Sequence, residues 1–189
     1  MSDDYRHSAF WQDRYERGTA GWDKGKAAPP LVRALATLDL KPDTKVLVPG
    51  CGYGHEALHL AKRGCAVVAV DFAPAAIKNL TERAAGLSLQ AQERDIFALQ
   101  EDFAGSFALV VEHTCFCAIP LDRRSDYART MAEVLDRAGV LLGLFWEMGE
   151  DGGPPFNTSC EDLHLHFDPF FDLVEIERGN QRSWHKELK

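Results

Sequence analysis

The chain has 189 residues, which suits one domain and leaves little room for a second. Hydrophobic residues make up 46%, enough for a sizeable core, and the formal net charge is −8. That charge argues against a broad nucleic-acid footprint or a polybasic membrane surface, both of which need clustered Lys and Arg. It does not exclude a small neutral or acidic substrate. The opening MSDDYRHSAF has no basic region followed by an apolar stretch, so no signal peptide is expected. No apolar run approaches the roughly 20 residues of a membrane span. The cysteines, Cys51, Cys65, Cys115, Cys117 and Cys160, are odd in number and lack paired spacings. A disulfide framework is not expected, and reduced thiols point to a cytoplasmic protein. Cys115-x-Cys117 lacks the two-residue gap of zinc ribbons, so no metal is expected.

In chain order, Ser8 to Arg17 reads as a short amphipathic helix, with Ser8 as its N-cap and Gly18 as its stop. Gly21 to Gly25 is loop. Pro29 and Pro30 open a second helix with Leu31, Leu35 and Leu38 on one face, ending before Pro42. Lys45 to Val48 is a short apolar strand, followed by a glycine-rich turn and a helix from His55 to Arg63, stopped by Gly64. Ala66 to Val70 is a buried strand ending at Asp71, and Pro74 starts a helix through Ala84. Leu87 to Gln92 and Phe107 to Val111 are further strands, Asp122 to Leu135 is helical by period, and Val140 to Phe145 is a fifth strand. Ser159 to His166 reads as helix and Phe170 to Ile176 as strand, with a further edge strand of unassigned position at the end. Strands alternating with helices indicate βαβ units and a mostly parallel central sheet with helices on its faces, a Rossmann-like α/β fold spanning residues 1–189 as one domain.

The segment richest in chemistry is Gly50-Cys51-Gly52-Tyr53-Gly54 between a strand and a helix, with Asp71 at the tip of the next strand. Glycines let the backbone turn tightly and let a ligand come close, and a carboxylate at that strand tip can accept both hydroxyls of an adenosine ribose. A dinucleotide site reads G-x-G-x-x-G and places a helix N-terminus against a pyrophosphate. Here His55 and Glu56 follow Gly54. A carboxylate at the helix start is a poor neighbour for pyrophosphate and suits a phosphate-free cofactor carrying an ammonium and a sulfonium. The pattern therefore favours S-adenosylmethionine over NAD. His55-Glu56-Ala57-Leu58-His59 matches H-E-x-x-H in letters, yet it opens from a glycine turn inside a βαβ unit, which explains the same residues without zinc.

Three further segments carry a specific resemblance: Trp11-x-x-x-Tyr15-x-x-Gly18 with Gly21-Trp22-Asp23-x-Gly25, then Phe116-Cys117-Ala118-Ile119, then Gly152-Gly153-Pro154-Pro155-Phe156. With Leu47-Val48-Pro49-Gly50-Cys51-Gly52, the chain resembles the thiopurine methyltransferase family, which includes plant-type halide and thiol methyltransferases. The resemblance implies an S-adenosylmethionine-dependent methyltransferase of class I fold that releases S-adenosylhomocysteine and needs no metal. It implies that Gly50, Cys51 and Gly52 line the methionine part of the cofactor and Asp71 holds the ribose. Phe72 would pack on adenine, and Asp95 and Ile96 would receive its amine and ring nitrogen. Glu112 is assigned to the cofactor side as well. Trp11, Tyr15 and Trp22 would belong to a lid, residues 1–28, over the cofactor, where a tryptophan face attracts a sulfonium and closure excludes water.

Methyl transfer from a sulfonium is an in-line displacement in which the enzyme aligns, desolvates and, where required, removes a proton. His113, at the end of the fourth strand, is the candidate for that last task, since ligands bind beyond the carboxyl ends of parallel strands and imidazole titrates near neutral pH. A pocket-wall role for the same side chain stays open. By position it replaces an arginine of thiopurine-type members and a tyrosine of halide-type members, and Asn180 stands where thiopurine-type members carry a second arginine. These departures favour a small thiol, sulfide or selenol over a thiopurine or a halide. Phe116, Phe156 and Asn157 are expected to line the acceptor pocket, with Gly152 to Pro155 as its rim. His164 and His166 are expected at the surface. Nothing in the sequence sets an oligomeric state.

Overall fold

A computed structural model describes residues 4–149, 152–178 and 183–188, with backbone only for Arg178 and the last of these segments. The chain divides into two compact units, residues 1–96 and 97–189.

The first unit runs α1 (Ser8–Glu16), α2 (Pro29–Thr37), β1 (Lys45–Pro49), α3 (His55–Lys62), β2 (Ala66–Asp71), α4 (Pro74–Arg83) and β3 (Leu89–Glu93). Its strands are parallel in the order β3-β2-β1. Val46, Leu47, Val67, Ala69 and Val70 are buried, which explains why β1 and β2 read as continuous apolar runs: the strands have no wet face. The register pairs Pro49 with Val70 and so sets Gly50 beside Asp71 at the carboxyl ends of the two strands. The start of α1 corrects one expectation. His7, in extended backbone, is the N-cap, and Ser8 is already helical and makes no side-chain cap. Leu31 and Leu35 are buried as the period requires, whereas Leu38 has left the helix as the C-cap of α2.

The second unit contains α5 (Gln100–Phe103), β4 (Phe107–His113), α6 (Arg124–Val134), β5 (Leu135–Trp146), α7 (Cys160–Phe167), β6 (Leu173–Arg178) and β7 (Ser183–Leu188). The short α5 has no periodic signal and was not expected. β4 extends past Val111 to carry Glu112 and His113, and β5 begins at Leu135, with a register irregularity between Phe107 and Leu109. The segment read as a helix from Asp122 starts as a 3₁₀ turn, Leu121–Arg123, and becomes α-helical at Arg124. Ser159 caps α7 in a reciprocal box with Asp162, each side chain accepting the other's backbone N–H, at 3.1 and 2.8 Å. β4 and β5 are parallel, and β7 lies antiparallel between β5 and β6. The last strand is thus interior within its unit and β6 lies outside it. Among the described residues no helix is long and apolar enough to cross a membrane.

Candidate functional site

In the first unit the glycine turn is closed by Asp71. Gly50, Gly52 and Gly54 all have positive φ, 54°, 51° and 71°. Cys51 N–H donates to the Val70 carbonyl at 2.9 Å, which ties the turn to β2. Gly52 N–H then donates to Asp71 Oδ2 and Ala73 N–H to Asp71 Oδ1, both at 2.9 Å. Burial raises the Asp71 carboxyl above the usual carboxylate range, while the N–H groups of Ala73, Gly52 and Phe72 pull it back down. Three N–H groups thus share a carboxylate that offers about four lone-pair sites, so acceptor capacity remains on it. The Asp71 carbonyl accepts Arg94 N–H at 3.0 Å, which leads the chain from β3 into exposed Asp95 and half-buried Ile96. Phe72 is half-buried.

The N-terminal segment packs against this turn. A Cβ on Gly52 would lie 2.9 Å from Tyr15 Oη, so the phenol occupies the space that only glycine leaves open. Tyr15 meets Trp22 and Tyr53 edge to face, with centroids 5.6 and 5.1 Å apart, and Trp11 meets Trp22 at 5.4 Å. These rings pack with Ala73, Ala75 and Ala76 at the start of α4. Burial first, then the charge of Asp71, pushes the Tyr15 phenol far above its ordinary range, against a hydrogen bond with Trp22 that lowers it. It is therefore a neutral group. Burial does the same to the Cys51 thiol. Two polar links pin the segment in place: Ala75 N–H donates to Gln12 Oε1, and His55 Nε2 is 2.8 Å from Asp23 Oδ1. Arg83 donates to the Tyr53 carbonyl and lies 3.2 Å from His55 Nδ1, so the imidazole bridges Asp23 and Arg83. Glu56 is buried and accepts Ala28 N–H at 2.9 Å. His55 and Glu56 of the H-E-x-x-H letters thus tie α3 to the N-terminal segment, and among the described residues no group of three or more His, Cys, Asp or Glu is arranged to hold a metal. Gln12, Asp23 and Arg83 were not anticipated, since their partners lie 63, 32 and 28 residues away.

In the second unit Glu112 is buried and its carboxylate is engaged by the loop that follows it and by α6. Oε1 accepts the N–H groups of Cys115 (3.1 Å) and Phe116 (2.9 Å), and Oε2 accepts the Tyr127 hydroxyl at 2.6 Å. Burial raises its carboxyl, against the hydrogen bond from Tyr127. Half-buried His113 closes β4, and Thr114 follows with φ 59°, a strained conformation for a β-branched residue, its hydroxyl donating to the His113 carbonyl at 2.7 Å. Phe116 is fully buried against Tyr127, Phe145 and Phe167. Phe156 N–H donates to the Cys117 carbonyl at 2.6 Å, which sets the 156–158 segment beside the Phe116 turn. Asn157 Oδ1 accepts Met148 and Gly149 N–H at 2.7 and 3.0 Å, so its side chain closes the loop after β5. Phe116 and the 156–158 segment are thus neighbours in the second unit. Burial pushes the Cys117 thiol up to about 12, which keeps it protonated. His164 is exposed and pairs with Asp168. His166 departs from the surface expectation: it is half-buried, 2.9 Å from Ser125 Oγ, with its ring 6.1 Å from that of Phe116, and burial lowers its pKa. Tyr127 and Arg124 went unnoticed in the sequence, although three-residue spacing puts them on one side of α6. Asn180 lies outside the described residues.

A family model described as thiopurine S-methyltransferase matches residues 6–187. A probable thiol methyltransferase 2 of Arabidopsis thaliana is 31% identical over 176 residues, covering 89% of this chain and 76% of the relative. A thiopurine S-methyltransferase of Xanthomonas axonopodis pv. citri is 27% identical over 187 residues, covering 89% and 85%. Among solved structures, one concerned with conversion of a disulfide bond into a thioacetal group during echinomycin biosynthesis superposes with a TM-score of 0.82 at 21% identity, covering 96% of this chain and 92% of that one. The magnesium protoporphyrin IX methyltransferase of Synechocystis PCC 6803, with bound SAH, gives 0.73 at 15% identity, covering 98% of each. This likeness shows the Rossmann-like class I fold.

Proposed function

Because the chain belongs to the thiopurine S-methyltransferase family, we propose that it moves a methyl group from S-adenosylmethionine to a small soft nucleophile, a thiol, sulfide or selenol. Membership makes it a methyltransferase and sets aside an NAD-dependent oxidoreductase. The observation that carries the reading is the glycine turn closed by Asp71 beneath the Trp11, Tyr15 and Trp22 rings. The residues fit the cofactor: the Asp71 carboxylate keeps acceptor capacity for a ribose hydroxyl, and buried Glu56 at the start of α3 disfavours a pyrophosphate.

In this reading Gly50, Cys51 and Gly52 line the methionine part, Phe72 covers adenine, and Asp95 and Ile96 meet its polar edge. Trp11, Tyr15 and Trp22 cover the sulfonium. Tyr15 keeps its proton and so presents a neutral wall. When bound, the cofactor supplies an electrophilic methyl: the new C–S bond forms opposite the old one, whose electron pair leaves on the sulfur of S-adenosylhomocysteine. His113 would take the thiol proton on an imidazole nitrogen, leaving the thiolate to attack. Glu112 stays assigned to the cofactor side and acts there by position, since two of its hydrogen bonds fix the backbone that follows His113 and the third ties it to Tyr127. Phe116, Phe156 and Asn157 form the acceptor wall. The relative named as a thiol methyltransferase supports the soft acceptor. We assign the protein one methyltransferase domain, and its five free thiols support a cytoplasmic setting.

The test is S-adenosylhomocysteine formation with hydrosulfide, alkyl and aryl thiols, selenide, iodide and a thiopurine, comparing wild type with His113→Ala. Turnover of thiols but not iodide, lost near neutral pH in the variant, supports the reading. Equal thiol rates in the two proteins overturn the proton-handling role. Preferential turnover of the thiopurine or of iodide replaces the acceptor assignment.

A further inference from the structure

Arg124 begins α6 and is 1% exposed, a burial that a guanidinium tolerates only with partners. Its Nη2 donates to the Asn157 carbonyl at 3.0 Å and to Thr158 Oγ1 at 3.4 Å. Nη1 stands 3.9 Å from Asp162 Oδ2, the same carboxylate that completes the α7 capping box. The guanidinium carbon lies 4.6 Å from the centre of the Phe116 ring. Its Nε–H is buried without a partner among the described residues. One planar cation therefore holds three things at once: the ring of Phe116, the backbone of 157–158 and the first turn of α7.

A fork that stacks on a ring while donating in its own plane sets distance and angle together, which a lysine ammonium does not do. Thr158 is fully buried, so its hydroxyl has this partner and no solvent. For packing alone, an apolar side chain of similar volume at position 124 would serve as well or better, because a buried cation carries a desolvation cost and here leaves Nε–H unbonded. What the cation adds is a defined placement of Phe116 relative to Asn157.

We propose that Arg124 is a positioning residue for the methyl acceptor: it fixes Phe116 against the 156–158 segment and thereby sets how tightly the acceptor is bound, without touching it. This rests on the reading of Phe116 and Asn157 as acceptor wall. The glycine turn, Asp71 and the rings packed on them, which belong to the first unit, are left unaltered by its loss.

The experiment is steady-state kinetics of Arg124→Lys and Thr158→Val with the best thiol of the panel, beside calorimetric binding of S-adenosylmethionine. Arg124→Lys is expected to raise the acceptor KM about tenfold or more and Thr158→Val about threefold, with kcat and cofactor Kd changed less than about twofold. An unchanged acceptor KM in folded variants overturns the proposal. So does a parallel loss of kcat and cofactor affinity, which marks a merely structural role. If Arg124→Lys does not fold, Thr158→Val decides by the same criterion. Wild-type protein that binds the cofactor yet methylates nothing overturns the functional reading itself, an outcome distinct from an active wild type whose variants keep its KM.

Discussion

The two units build their chemical ends by opposite means. In the first, Asp71 works on the backbone nearest to it: both oxygens accept N–H groups of the turn and of the residues just after β2. In the second, Glu112 and Arg124 are buried ionic groups reaching across elements, to Tyr127 on α6 and to the segment before α7. The first arrangement is a local solution that any chain with this turn can adopt. The second specifies one pairing of elements, and every group in it is costly if left alone. The cofactor side should therefore lose ligand when perturbed, and the acceptor side should lose stability.

The largest effect is expected at Asp71. Asp71→Ala removes the carboxylate proposed to accept the ribose and should weaken S-adenosylmethionine binding about 10-fold or more, since a hydrogen bond to a charged group contributes about 1.5–3 kcal/mol. Calorimetric titration measures it, and an affinity within a few-fold of wild type would confine Asp71 to shaping the turn. Next comes Tyr127→Phe. It strips a donor from buried Glu112 and should cost about 1–3 kcal/mol of stability in urea unfolding. The same variant should bind the cofactor as wild type does, and weakened binding would break the division between the two ends.

A smaller effect tests how the lid segment meets the turn. Gly52→Ala should cost about 1–2 kcal/mol, from a positive φ that an L-residue resists and from a Cβ 2.9 Å from Tyr15 Oη. Tyr15→Phe in the same chain removes the hydroxyl and should return part of the loss. A double-mutant cycle with no coupling would place the whole cost in the backbone.

The cofactor side was legible because its signal is local. Three glycines, a helix and a strand ending at Asp71 lie within about two dozen residues, and each follows from elementary turn and sheet geometry. The acceptor side was legible only in its apolar members. Phe116 and Phe156 were picked out on motif, but Glu112 was assigned to the cofactor side, while what its carboxylate does in the second unit depends on Tyr127, 15 residues on. Arg124 looked like one more charge in a polar run, and its partner carbonyl is 33 residues away. The last strand was unplaceable for the same reason: entering antiparallel between β5 and β6 is a non-local choice that no periodicity records.

The finest test of the contrast is the pH dependence of Glu112→Gln. Burial raises the folded carboxyl of Glu112 above its unfolded value, so the folded chain holds that proton more tightly. Stability from this titration is fully present below the unfolded carboxyl range and is lost as pH rises through the raised folded value. Glutamine has no such titration, and the raised carboxyl of Asp71 is common to both proteins and cancels in the difference. The stability deficit of Glu112→Gln in urea should therefore be largest near pH 4 and shrink toward pH 7. A deficit that grows with pH would mean that the three donors hold Glu112 as an anion more strongly than burial opposes it.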